Sequence, residues 1–142
     1  MDKWKPGASI GALKRRAQMM ASIRHFFSRR SVLEVDVPLL SSSTVTDINI
    51  ESISAKVGGS KGYLQTSPEY FMKRLLASGS GDIYSMSKAF RDGEVGSKHN
   101  PEFTMLEWYR CGWDEHQLID EVIDLISSVI SAPENVTIDI TK

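Results

Sequence analysis

The chain has 142 residues with 17 basic and 18 acidic side chains, a formal net charge of −1 and 41% hydrophobic content. That is enough for one domain with a real core, and no overall field argues for nucleic acid or an anionic membrane surface. A single cysteine, Cys111, and three scattered histidines, His25, His99 and His116, support neither a disulfide framework nor a zinc site. With no secretory apolar region and no apolar run long enough to cross a bilayer, a cytoplasmic setting is expected.

Ser9 is placed to cap a helix whose apolar positions Ile10, Leu13, Ala17, Met20, Ile23 and Phe27 recur at spacings of three and four, which predicts a buried stripe. Val32 to Leu40 then reads as a strand ended by Pro38, which has no amide to donate to a ladder. The GGSKG run from Gly58 to Gly62 lacks full phosphate-loop spacing and reads as a hairpin turn. A second helix is predicted with Ser67 as N-cap, Pro68 in the first helical position, Glu69 at the positive helix start and Gly79 at its end. Ile83 to Phe90 has strand composition, and Glu102 to Arg110 alternates with period two, so the pair predicts an antiparallel hairpin. Its connection is rich in turn formers (Asp92, Gly93, Gly96, Ser97, Asn100 and Pro101), which predicts a long loop and raises the expectation of a ligand site. Asp114 and Gln117 have capping-box spacing at the start of a helix reaching Ile130, with Leu118, Val122, Leu125, Ile126 and Val129 as its buried stripe. Pro133 punctuates it, and Val136, Ile138 and Ile140 begin an alternating strand. The short basic clusters Lys14-Arg15-Arg16, Arg29-Arg30 and Lys73-Arg74 read as solvated helix faces.

Chemistry concentrates on the hairpin. Alternation puts Phe103, Met105, Glu107 and Tyr109 on one face of the second strand. A carboxylate among aromatic neighbours is costly to bury without a donor or a cation, so an ammonium-bearing ligand suits Glu107, with the Tyr109 hydroxyl beside it. Arg91 offers a planar fork that matches phosphate oxygens, and the Phe103 ring offers a stacking surface for a purine. Residue types by themselves leave two readings open: a nucleotide and an amine held side by side, or a surface hairpin with core aromatics and solvated charges. Glu69 is likewise open between ligand binding and complementing its helix dipole.

The literal string FRDGEVGSKHNPEFTMLEWYR, from Phe90 to Arg110, resembles motif 2 of class II aminoacyl-tRNA synthetases in the version of the lysyl group. Thr66-Ser67-Pro68-Glu69-Tyr70 resembles the segment that presents a glutamate to the substrate amine. The helix and strand over about 14–40 resemble the dimer-forming motif 1, with Ser31 in place of its usual glycine. Motif 2 covers about 88–110. Within that group the chain is most similar to the free-standing ligases that attach β-lysine to elongation factor P: no anticodon-binding domain fits before motif 1, Ser67 stands where true lysyl-tRNA synthetases tend to carry alanine, and Trp108 is typical of these paralogues.

The resemblance implies an α/β (α+β) fold, an antiparallel sheet flanked by helices, of which this chain holds the N-terminal part. It implies ATP-dependent activation of lysine or (R)-β-lysine as an aminoacyl adenylate, and transfer to a lysine of elongation factor P rather than to tRNA. Ser67, Pro68, Glu69, Glu107 and Tyr109 would contact the amino acid. Arg91 would hold the α-phosphate, with Asp92, Gly93, Glu94, His99 and Asn100 around the nucleotide and Phe103 on adenine. Mg2+ would accompany ATP, its ligands outside this segment, and motif 1 would make a homodimer. Gly93 stands where the broad motif has glutamate, which leaves Glu94 as the candidate replacement. Nothing after residue 110 resembles the arginine-bearing motif 3, so the 142-residue chain is expected to be inactive by itself. A lysyl-tRNA synthetase-like fragment and a non-catalytic dimerising paralogue are the alternatives.

Overall fold

A serine hydroxyl starts the first helix. Ser9 keeps an extended backbone and its side chain accepts from the Ala12 amide at 3.1 Å, satisfying one of the amides that a helix start leaves unpaired. The computed structural model describes residues 4–93, 96 and 99–130. The expected strand at Val136 to Ile140, Pro133 and Glu94 lie outside the described residues. The chain divides into two units, one of residues 32–111 and one of the segments on either side of it.

In the flanking unit, α1 (Ile10–Ser28) packs with α3 (Glu115–Val129). The stripe expected on α1 is buried only towards its C-terminal end, at Ile23, Phe26 and Phe27. Ile10 and Leu13 remain 66% and 46% exposed, so the periodicity marks a face that is covered over its last turns only. Asp114 caps α3 as its spacing predicts, in a reciprocal capping box with Gln117. The α3 stripe is displaced: Leu125 is buried, Leu118 stays exposed, and the carboxylate of Glu121 is buried instead. Arg30 is the reason. Its guanidinium stacks 3.6 Å over the Phe26 ring, bonds Asp124 at 3.0 Å and lies 3.6 Å from Glu121, so a cation just past the end of α1 faces the buried carboxylate of α3.

The central unit holds two three-stranded sheets. In the first, β1 (Leu33–Glu34) runs parallel to β5 (Ile83–Phe90), which pairs antiparallel with β6 (Glu102–Tyr109). In the second, β4 (Ser60–Leu64) lies between β2 (Leu40–Ser41) and β3 (Ser54–Val57), all antiparallel. The single strand expected over Val32 to Leu40 is therefore two short strands in different sheets. Pro38 stands between them without an amide, and buried Val37 turns its side chain into the core at that point. The parallel pairing makes the first sheet mixed rather than purely antiparallel. Gly58 and Gly59, both at positive φ, form the two-residue turn of the β3–β4 hairpin that their composition announces.

Helix α2 (Glu69–Ala77) begins one residue later than expected. Pro68 is its cap residue, with its carbonyl accepting from the Met72 amide at 3.0 Å, and the Ser67 hydroxyl makes only a long 3.4 Å bond to the Glu69 amide. The helix ends at Gly79 as read. At φ 83° this glycine donates to the Leu76 carbonyl while Ser80 donates to Leu75, the paired bonds of a Schellman cap. Through Met72, α2 joins Val37 and Ile83 in the core, with Val35, Phe71, Leu75, Leu76 and Tyr109 packed around them. Met72 is fully buried, worth roughly 2 kcal/mol of transfer free energy.

Candidate functional site

Residues directly opposite one another in adjacent strands share a sheet face. The β5–β6 register sets Ser85 against Glu107, Ser87 against Met105 and Ala89 against Phe103. One face of the hairpin thus carries Phe103, Met105, Glu107 and Tyr109, with the small side chains of β5 beside them. The Tyr109 hydroxyl donates to Glu107 Oε1 at 2.7 Å, which places both on that face directly.

Glu107 is partly buried, and burial raises its carboxyl pKa above the usual glutamate value. The Tyr109 hydrogen bond opposes that rise, the Glu69 charge adds to it, and the Lys73 ammonium works against it. The Tyr109 hydroxyl is itself pushed well above the ordinary phenol range, first by burial and then by its bond to Glu107, so it remains a donor at any physiological pH. At this end of the hairpin a carboxylate is held in an environment that disfavours its charge and would accept an added cation.

At the other end, the Arg91 guanidinium lies 5.3 Å from the Phe103 ring centroid. Its Nε donates to the Thr66 carbonyl at 3.4 Å, and its amide donates to the Pro101 carbonyl at 2.9 Å. A planar cation and an aromatic ring are therefore stacked on the face that also carries Glu107.

Glu69 opens α2 and pairs one turn later with the Lys73 ammonium, at 2.5 Å. The first-turn carboxylate also suits the positive end of the helix. Pro68 is fully buried and stands between Ser67 and Glu69 at the start of α2. The loop residues predicted around a nucleotide sit in the β5–β6 connection. Asp92 and Gly93 are exposed, with Gly93 at φ 72° donating to Asp92 Oδ1, and the Asp92 amide donates to the Glu51 carbonyl. His99 and Asn100 are exposed too. Mutual bonds between Gly96 and His99 narrow the connection, so the expected open loop is in part a continuation of the hairpin.

A cavity of about 230 Å³ opens beside the start of α2, lined among others by Thr44, Gln65, Ser67, Glu69, Tyr70 and Arg74. Sequence reasoning picked out only Ser67 and Glu69 of these. Thr44 lies in an irregular segment and Tyr70 on an exposed helix position, where no periodicity separates a lining residue from a solvated one. Gln65 had a faint signal, a polar residue at a strand end. It is buried, with its amide nitrogen donating to the Lys88 carbonyl at 2.8 Å and to the Ser87 hydroxyl at 3.3 Å, tying β4 to β5 beneath the site. Among the described residues, no group of three or more His, Cys, Asp or Glu side chains is placed to hold a metal ion, and no helix is long and apolar enough to cross a membrane.

A family model for tRNA synthetases class II (D, K and N) matches residues 7–142, nearly the whole sequence. The chain belongs to this class II synthetase family. Within it, the chain is 55% identical over 134 residues to the elongation factor P–(R)-beta-lysine ligase of Vibrio vulnificus strain YJ016, an alignment covering 89% of this chain and 41% of that protein. It is 52% identical over 136 residues to the protein of the same name from Pseudoalteromonas translucida strain TAC 125, covering 92% and 42%. The corresponding Haemophilus influenzae strain PittGG protein is 48% identical over 139 residues, covering 94% and 43%. The chain thus spans about two fifths of the length of the curated relatives it matches. Its mixed α/β architecture is that of a class II synthetase family member.

Proposed function

We propose that this chain forms the amino-acid- and nucleotide-binding hairpin of an ATP-dependent ligase that activates lysine or (R)-β-lysine as an adenylate and transfers it to a lysine of elongation factor P. The observation that carries the reading is the shared face of β6, with Arg91 over Phe103 at one end and Tyr109 on Glu107 at the other. Phe103 and Glu107 are four residues apart on one strand, about 13 Å at the usual rise. That span suits a ribose phosphate and an aliphatic chain between a stacked base and a terminal ammonium. The names of the relatives favour lysine chemistry and a protein acceptor over tRNA.

In this reading Glu107 and Tyr109 receive the distal amine, and Ser67 and Glu69, set in place by Pro68, meet the amine nearer the carboxylate. Arg91 leaves the Phe103 ring to meet the α-phosphate, freeing that ring for adenine, with Asp92, Gly93, His99 and Asn100 beside the nucleotide and Glu94 next in sequence. Magnesium bound with ATP would offset phosphate charge. Catalysis rests on positioning and electrostatics, with no side chain needed as acid or base. Residues of about 14–40 correspond to motif 1 and about 88–110 to motif 2, and the exposed Ile10 and Leu13 on α1 favour a homodimer through the motif 1 helix. A cytoplasmic setting accords with the lone exposed Cys111.

The test is a chimera in which this chain replaces the segment it matches in the Vibrio vulnificus relative. ATP–pyrophosphate exchange dependent on β-lysine, lost on Arg91→Ala and on Glu107→Gln, is the expected result. A fully active chimera carrying both substitutions would refute the proposed roles.

A further inference from the structure

Resting on the assignment of Glu69 and Glu107 as amine acceptors, we propose that Lys73 is a built-in competitor of the substrate ammonium, a residue that sets selectivity by sharing Glu69 with the ligand. Glu69 and Lys73 are one helical turn apart, and the Lys73 Nζ sits 2.5 Å from Glu69 Oε1, the position and geometry a ligand amine would need. The pair is not locked. The two side chains are 57% and 42% exposed, so the ammonium can swing into water at small cost.

Charge makes the competition consequential. Lys73 lies within Coulombic range of Glu107 as well as Glu69, and the two carboxylates repel each other. Lys73 therefore neutralises one of the two acceptors and weakens the pull of the other. A ligand with a single amine meets one carboxylate that already has a cation and one that accepts from Tyr109. Only a diamine replaces the charge that Lys73 withdraws and also supplies the cation that Glu107 lacks. Lys73 thus disfavours any ligand whose amine must dislodge it from Glu69, and spares one that brings an amine only to Glu107. The ordinary role of such a pair, an exposed helix contact between residues four apart, predicts no change in ligand affinity when the lysine is lost.

Calorimetric titration of the 142-residue chain with lysine, norleucine and 6-aminohexanoate tests the idea. In Lys73→Met, lysine and norleucine are expected to bind roughly two- to fivefold more tightly at low ionic strength, with the gain shrinking as salt screens it. The 6-aminohexanoate affinity should move less, because that ligand has no amine for Glu69. Lys73→Gln should reproduce the gain and Lys73→Arg should not. A second measurement needs no substitution: the Lys73 Nζ resonance of the unsubstituted chain should shift as lysine is added. Unchanged or weaker lysine binding in both neutral variants overturns the role of Lys73 and leaves the site assignment standing. If lysine binds neither the unsubstituted chain nor the variants, the assignment of Glu69 and Glu107 fails, and the role of Lys73 fails with it.

Discussion

Replacing Tyr109 by phenylalanine removes one oxygen and tests the electrostatics of the site without disturbing its packing. The ring contributes to the cluster around Val37, Met72 and Ile83, and phenylalanine keeps that contribution. What is lost is the 2.7 Å bond to Glu107 Oε1. A hydrogen bond to a charged group contributes roughly 1.5–3 kcal/mol. Glu107 is only partly buried, so water takes up part of the load and the expected cost falls to about 1 kcal/mol, near fivefold in the folding equilibrium. The cost must depend on pH. Burial raises the Glu107 carboxyl above its unfolded value, so between the two values the folded chain holds a proton that the unfolded chain has released. Stability therefore falls as pH rises through that interval. Loss of the hydroxyl raises the folded value further, since the bond was lowering it. The destabilisation is then complete at neutral pH and shrinks on acidification, once Glu107 is neutral in both proteins.

Urea denaturation read by tryptophan fluorescence suits the measurement, since Trp108 lies between the two residues on β6. The expectation is about 1 kcal/mol at neutral pH and less than half of that near pH 4. Equal costs at both pH values would refute the claim that the Tyr109 hydroxyl acts on the ionised carboxylate.

Met72→Ala should destabilise the 32–111 unit by about 3 kcal/mol, because the side chain is fully buried and its loss leaves a cavity; the urea midpoint reports it. Asp82→Ala should cost about 2 kcal/mol in the same assay. It removes the acceptor 2.9 Å from the Arg110 guanidinium, whose side chain is 7% exposed, and the acceptor of the Cys111 amide. Asp114→Ala should cost about 1 kcal/mol by breaking the α3 capping box, seen as an earlier loss of helical circular dichroism.

Where chemistry is local, the sequence was readable. The Ser9 cap, the Asp114–Gln117 box, the Gly58-Gly59 turn and the Gly79 stop each depend on a few adjacent residues, and all are present. Reading failed where a distant partner decides the outcome. Nothing within Val32 to Leu40 announces that its start pairs parallel with β5 and its end antiparallel with β4. The apolar stripe of α3 gave no hint that Arg30, 91 positions before Glu121, would bury a carboxylate. The resemblance implied Pro68 as a ligand contact together with Ser67 and Glu69, and its full burial is a property that no local pattern announces.

The site was legible in proportion to how far alternation alone constrains it. A period of two forces Phe103, Glu107 and Tyr109 onto one face whatever the rest of the chain does, and that is where they stand. Arg91 and Glu69 belong to other elements, and only the fold brings Arg91 over Phe103 and Glu69 within electrostatic reach of Glu107. The most telling residue is the one that suits its surroundings least. A glutamate at position 107 adds a desolvation cost to a strand that an apolar residue would fill without penalty. Tyr109 offsets part of that cost and the distant Lys73 a little more, yet burial still dominates. An added ammonium would remove the remainder, so the desolvation that makes Glu107 a poor structural choice is also what suits it to the amine-binding role proposed for it.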